Sequence, residues 1–197
     1  MQVPIRTLYV ALLIGALPNV CFAENVYVEG LVGSFETHGI DNQVPEPGFD
    51  FSTIGVRTGY EFNKHLAVEG ELITGSEKVA LESYGNYPDA SVNLKSHAAV
   101  FARVSAPLNE RLSMHGRVGY ASLELSNTVA SDAAGGYMDT HAGPAFGVGT
   151  KFNLSDKIYL RGDHTRYTSE TRENRVYTIG AGVNLFQVAK VVNDLRD

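Results

Sequence analysis

The sequence has no tryptophan, and its one cysteine, Cys21, lies close to the N-terminus. Beyond residue 23 there is no thiol, which excludes disulfide bracing, thiol catalysis and a thiolate metal site there. No later segment reaches the ~18 consecutive apolar residues of a spanning helix. Excess positive charge is missing too. With 16 basic and 22 acidic residues the formal charge is −6, which argues against a nucleic-acid partner and against a polybasic membrane-surface role.

Residues 1–23 read as an export signal: Arg6 gives a basic start, Leu8 to Leu17 an apolar stretch, and Cys21-Phe22-Ala23 a small-x-small ending before Glu24. Pro18-Asn19-Val20 lacks the small residues that a lipid-attachment box places before its cysteine. Removing these 23 residues from 197 leaves 174, the size of one domain, and loss of Arg6 takes the charge from −6 to −7.

Alternation fills the rest. In Ile54-Gly55-Val56-Arg57-Thr58-Gly59-Tyr60-Glu61-Phe62, apolar residues fall on one strand face and glycines and charges on the other. Period-2 runs bounded by turn residues predict eight strands at 25–38, 51–62, 65–77, 91–106, 111–126, 140–153, 157–170 and 174–186. Each is long enough to cross a bilayer as a tilted strand of ~9–11 residues. The connections alternate as well. Asn63-Lys64, Pro107-Leu108-Asn109-Glu110 and Leu154-Ser155-Asp156 are short, whereas 39–50, 78–90 and 127–139 are longer and rich in Gly, Pro, Asp and Asn. Bacterial barrels pair tight periplasmic turns with longer outside loops in this way. The expected architecture is an all-β, eight-stranded antiparallel up-and-down transmembrane β-barrel over 24–186, with a short periplasmic tail at 187–197.

Alternation alone leaves two arrangements open, a soluble lipocalin-like barrel with the apolar face inward and a membrane barrel with that face toward lipid, and the polar face favours the second. It carries Glu29, Arg57, Glu61, Glu69, Glu71, Lys95, Arg103, Arg117, Lys151, Arg161 and Asp163, interleaved with glycines such as Gly33, Gly59, Gly149 and Gly182. The interior of an eight-stranded barrel is just wide enough for side chains to fill, so glycines there make room for long charged neighbours. Six basic and five acidic residues predict a paired charge network, structural or gating, because a buried charge without a partner costs several kcal/mol. The opposite face, with Ile54, Val56, Leu72, Val100, Val118, Phe146, Val148 and Ile179 among others, suits lipid. Tyr60, Phe62 and Phe152 near the short turns, with Tyr120 and Tyr167 toward the longer loops, are expected to form aromatic girdles.

These residues resemble the OmpA-like outer-membrane β-barrel ("porin family") domain over nearly all of 24–186. The resemblance is carried by Val26-Tyr27-Val28-Glu29-Gly30-Leu31-Val32-Gly33, Gly55 to Phe62, Gly116-Arg117-Val118-Gly119-Tyr120-Ala121, Gly143 to Gly149, Leu160-Arg161-Gly162-Asp163 and Ile179 to Phe186. It implies a cell outer-membrane location, insertion by the barrel assembly machinery, and partners drawn from membrane lipid, lipopolysaccharide, and host or phage ligands. Members commonly end on an aromatic in the lipid-facing register; here Phe186 has the opposite parity. In the tail, Val188, Val191, Val192 and Leu195 fall at helical spacing, either a frayed end or a short helix docking at the barrel base.

Chemistry is sparse. None of the six histidines begins the His-x-Ser motif of a lipid A deacylase. Glu69 and Glu71 share a face, but in a filled lumen they are expected to pair with Arg57 and Arg103 rather than act on substrate. His97 and His115, placed on adjacent strands, lack a third ligand for a metal. The chain therefore reads as non-enzymatic, without catalytic residues, cofactor or metal: a contributor to membrane integrity and surface interaction, with a narrow pore as the alternative and lipid A modification a distant third. Arg166, Arg172 and Arg175 cluster near the fourth outer connection, where lipopolysaccharide phosphates suit arginine forks.

Overall fold

The computed structural model describes residues 25–39, 49–80, 91–128, 137–168 and 172–185. The expected signal at 1–23, the tail at 187–197 and Phe186 lie outside the described residues. Nine strand segments follow one another: β1 Val26–Gly39, β2 Phe49–Asn63, β3 Leu66–Gly75, β4 Lys78–Ala80, β5 Ser91–Pro107, β6 Leu112–Thr128, β7 Tyr137–Asn153, β8 Ile158–Thr168 and β9 Arg172–Asn184. β3 and β4 pair with successive stretches of β5, so together they form one stave. Eight staves result, each antiparallel to both neighbours, and the β1–β9 and β3–β5 pairings close the barrel.

One local device builds all three short turns. Asn63 Oδ1 accepts from the backbone N–H of His65 at 2.8 Å and of Leu66 at 3.0 Å. Asn109 Oδ1 does the same for Arg111 at 2.9 Å and Leu112 at 2.8 Å, and Ser155 Oγ for Lys157 at 3.3 Å and Ile158 at 3.1 Å. A short side-chain acceptor that satisfies the next two or three amides substitutes for strand pairing at the reversal. These turns sit at one end of the barrel, with both ends of the described sheet.

The lipid-facing expectation holds in detail. Ile54, Val56, Leu72, Val104, Val118, Phe146, Val148 and Ile179 are among the most exposed large hydrophobics, as a hydrocarbon band requires. Yet the pattern inverts along the strands. On β6 the outward residues run Met114, Val118, Tyr120 and then Ser122, Glu124, while the inward ones run His115, Arg117 and then Ala121, Leu123, Leu125. The same exchange places Phe35, Phe51, Ile73, Val92, Leu94, Ala99, Phe101 and Val176 inside, toward the long connections. The interior charges are therefore confined to the short-turn half, while the other half is mainly apolar with Thr37, Thr53 and Asn174 buried among its side chains. Alternation fixes which residues share a face, not which medium that face meets. Once a stave rises past the hydrocarbon, its outside becomes wet and its inside must supply the apolar core.

Two side chains depart from expectation. Tyr167 is fully buried inside this apolar layer, 6.2 Å from Phe35 and 5.4 Å from His97 by ring centroids, and is not part of an outer girdle. Lys95 lies outside the lumen. A register shift between Leu94 and Ser96 makes it an extra residue on β5, so its side chain turns outward to meet Glu124 at 3.0 Å.

Candidate functional site

Tyr27 and Tyr159 stand at the short-turn end because two glycines leave space for them. A Cβ at Gly59 would fall 2.3 Å from the Tyr27 hydroxyl, and one at Gly182 would fall 2.4 Å from Tyr159 Cζ. The two rings meet edge to face at 6.2 Å. Their hydroxyls donate to Glu69 Oε1 at 2.5 Å and to Glu29 Oε1 at 2.9 Å respectively.

Above them lies the charge network. Arg57 Nη1 donates to Glu29 Oε2 at 2.5 Å and Asp163 Oδ2 at 2.9 Å, while its Nη2 reaches Glu71 Oε2 at 2.6 Å. Arg161 grips both oxygens of Glu69, at 2.6 and 3.0 Å, and donates from Nη2 to Asp163 Oδ1 at 3.0 Å. Arg117 donates to Glu71 Oε2 at 2.9 Å and to the Thr165 hydroxyl, with its guanidinium carbon 4.3 Å from the centre of the Phe101 ring. Arg103 joins Glu61 at 2.6 Å to Glu69 at 2.8 Å. Lys151 reaches Glu61 at 3.4 Å and sits 4.1 Å from the Tyr159 ring centre. Charge-assisted and bidentate bonds of this kind are the strong ones.

Ten of the eleven predicted lumen residues thus converge. With Lys95 removed, five basic side chains, Arg57, Arg103, Arg117, Lys151 and Arg161, face five carboxylates, Glu29, Glu61, Glu69, Glu71 and Asp163. Glu69 and Glu71 pair with Arg103 and Arg57 as expected. Glu61 is the partly exposed member, at the short-turn mouth.

His97 and His115 face the interior from adjacent strands but do not lie together. His115 Nε2 lies 2.7 Å from Asp163 Oδ1 inside the network. His97 sits at the junction of the two layers, 4.0 Å from Glu71 Oε1 and 5.9 Å from the Phe35 ring. Among the described residues no three His, Cys, Asp or Glu side chains gather as a metal site.

Sequence reasoning did not find the apolar layer that caps the network. Its signal is the inward parity of Leu123 and Leu125 on β6 and of Phe35 on β1, each flanked on both sides by an outward Ser or Glu.

A second cluster lies outside, above the apolar band. Arg166 on β8 and Arg175 on β9 are register partners. Glu173 bridges them, accepting from Arg166 Nη2 at 2.9 Å and from Arg175 Nη2 at 2.9 Å and Nε at 3.1 Å. The hydrogen bond from Arg175 and the charge of Arg166 hold the Glu173 carboxyl below the ordinary glutamate range. Arg172 opens β9 opposite Gly39, and its side chain lies outside the described residues.

Solved structures with the same fold include Ail, the attachment invasion locus protein of Yersinia pestis, in complex with the heparin analogue sucrose octasulfate. It is 16% identical, with 81% of this chain and 98% of that chain covered at a TM-score of 0.58. Neisserial surface protein A is 11% identical, with 81% and 96% covered at 0.56. OprG from Pseudomonas aeruginosa is 12% identical, with 82% and 96% covered at 0.55. At these identities the likeness is one of fold. No curated protein matches the chain significantly. Residues 8–184 match the family described as "Outer membrane protein beta-barrel domain". The match spans most of the sequence, so the chain belongs to that family and is a β-barrel protein of the bacterial outer membrane.

Proposed function

We propose that this protein is a non-conducting, non-enzymatic barrel that strengthens the outer membrane and presents a surface-exposed crown to lipopolysaccharide, host or phage ligands. One observation carries the reading. The interior is closed twice, by a charge-balanced network whose members are almost all buried, and above it by a layer of Leu, Val, Phe and Tyr side chains. Ions crossing the lumen would have to part several multiply bonded pairs and then enter an apolar plug, and each step strips charge of its partners in a low-dielectric interior. A rigid, filled interior supports a scaffold role, and the staves that rise beyond the hydrocarbon band support a working surface outside the cell. The name of the Ail structure, an attachment protein bound to a sulfated sugar analogue, is compatible with such a surface.

The test is single-channel recording of the refolded mature chain in planar bilayers at high salt, beside a gel that reads the folded barrel by its heat-shifted band. A folded, silent protein is expected. Arg103→Gln and Glu69→Gln should also stay silent, because the apolar layer remains. Discrete openings in the wild type, or openings produced by either single substitution, would replace this reading with that of a narrow gated pore.

A further inference from the structure

On the lipid-facing wall, β7, β8, β9 and β1 align their outward residues in rows. The pairings Glu36 with Arg175 and Arg175 with Arg166 form the uppermost of these. One step down come Ser34, Tyr177 and His164, and the next step holds Val32, Ile179, Gly162 and Thr150. The His164 and Tyr177 rings are stacked, 4.6 Å between centroids and 8° from parallel. Below the stack, Gly162 breaks the wall. Nothing lies within 4 Å of where its Cβ would be, and a mainly apolar groove of about 580 Å³ opens there, with Ile179 and Val32 on one side and Thr150 on the other. That volume falls in the range of small-ligand sites, about 300–1,000 Å³.

The geometry points to a bound outer-leaflet glycolipid: one acyl chain of a phosphorylated lipid A lies in the Gly162 groove, and a sugar phosphate meets Arg166 and Arg175 above the His164–Tyr177 stack. This deepens the proposed function and rests on its outward-facing orientation. The order of chemistry along the wall matches such a molecule from top to bottom. A guanidinium pair suits phosphate; aromatic rings with polar edges suit the sugar and interface level; and an apolar recess suits a hydrocarbon chain. Glu36, the register partner of Arg175, and Glu173 put two carboxylates beside the two guanidiniums, yet Glu173 does not close the site. Both arginines spend only part of their five donors on it and are turned toward each other by it. A phospholipid with a single headgroup would offer phosphate and chain, but without a sugar to cover the aromatic stack.

The test is native mass spectrometry of the barrel refolded in phosphatidylcholine nanodiscs doped with bisphosphorylated hexa-acyl lipid A. Wild type should retain one lipid A. Gly162→Leu should reduce retention about tenfold, since it fills space equal to roughly two buried methylenes. Gly70→Leu, at an equally open outward glycine on β3, should leave it unchanged. Arg166→Gln with Arg175→Gln should weaken retention as much as removing both phosphates from the lipid does. Equal retention by Gly162→Leu and wild type, or equal retention of phosphatidylglycerol, would overturn the assignment. The conductance measurement does not depend on Gly162, so failure here would leave the silent-barrel reading standing.

Discussion

Arg57 and Glu29 are register partners on β2 and β1, and their side chains meet at 2.5 Å with no solvent exposure on either. Arg57 also holds Glu71 and Asp163, so one guanidinium neutralises carboxylates from three other staves. Arg57→Met should destabilise the barrel by about 3–5 kcal/mol, the effect of stranding buried charges. Glu29→Gln should cost less, because Arg57 keeps its two other carboxylates. Urea unfolding in lipid vesicles measures both. Equal, small losses would mean that water reaches the network and screens it.

The apolar layer is the second place where stability concentrates. Phe35 is fully buried and packs against Phe51 at 6.3 Å and Tyr167 at 6.2 Å between ring centroids. Truncation to alanine should cost about 3–5 kcal/mol, whereas Phe35→Leu, closer in volume, should stay below about 1.5 kcal/mol. The same unfolding assay reads them. A negligible effect of Phe35→Ala would argue that the layer does not act as a core.

Much of this is legible in the residues alone. Strand number, turn positions and the lipid face follow from period-2 alternation, and Asn63, Asn109 and Ser155 mark the short turns by their own hydrogen-bonding chemistry. The members of the charge network follow from parity. Its partners follow only in part: Glu69 and Glu71 are expected beside Arg103 and Arg57 and lie there, whereas Arg57 and Asp163 are brought together only by closure of the barrel. Lys95 escapes the pattern because a one-residue bulge flips parity without changing composition. The apolar cap escapes it for a different reason: parity says which residues share a face, and the medium outside that face changes with height. Tyr167 shares the inward parity of Arg161 and Asp163 on β8, so parity places it inside, and its position near a strand end does not make it a girdle residue.

That change of medium predicts that the membrane boundary falls between Tyr120 and Ser122 on β6. In a chain freed of residues 1–23 there is no native cysteine, so single cysteines report cleanly. Glu124→Cys and Ser122→Cys should react with a membrane-impermeant maleimide added to intact cells. Val118→Cys, outward but within the lipid band, and Leu123→Cys, inward and buried, should not. Labelling of Val118→Cys as fast as Glu124→Cys would place the bilayer elsewhere.

The outer arginine pair gives a pH dependence whose sign is set by Glu173. The Arg175 hydrogen bond, with the nearby Arg166 charge, lowers the folded-state Glu173 pKa below its ordinary 4.5. A carboxyl depressed on folding contributes stability that is fully present above the unfolded value and is lost as pH falls through the lowered folded one. The contribution is small and salt-sensitive, because the site is exposed. Carboxyl carbon chemical shifts should therefore show Glu173 titrating below its ordinary 4.5, and Arg175→Gln should move its midpoint back toward that value. Protonation also leaves Arg166 and Arg175 as like charges directly opposite each other. If lipid phosphate occupies the pair, lipid A retention should rise as pH drops through the Glu173 midpoint, and Glu173→Gln should show the higher retention already at neutral pH. A fall in retention with Glu173→Gln would mean that the carboxylate's main effect is to orient the two arginines rather than to compete with the phosphate for them.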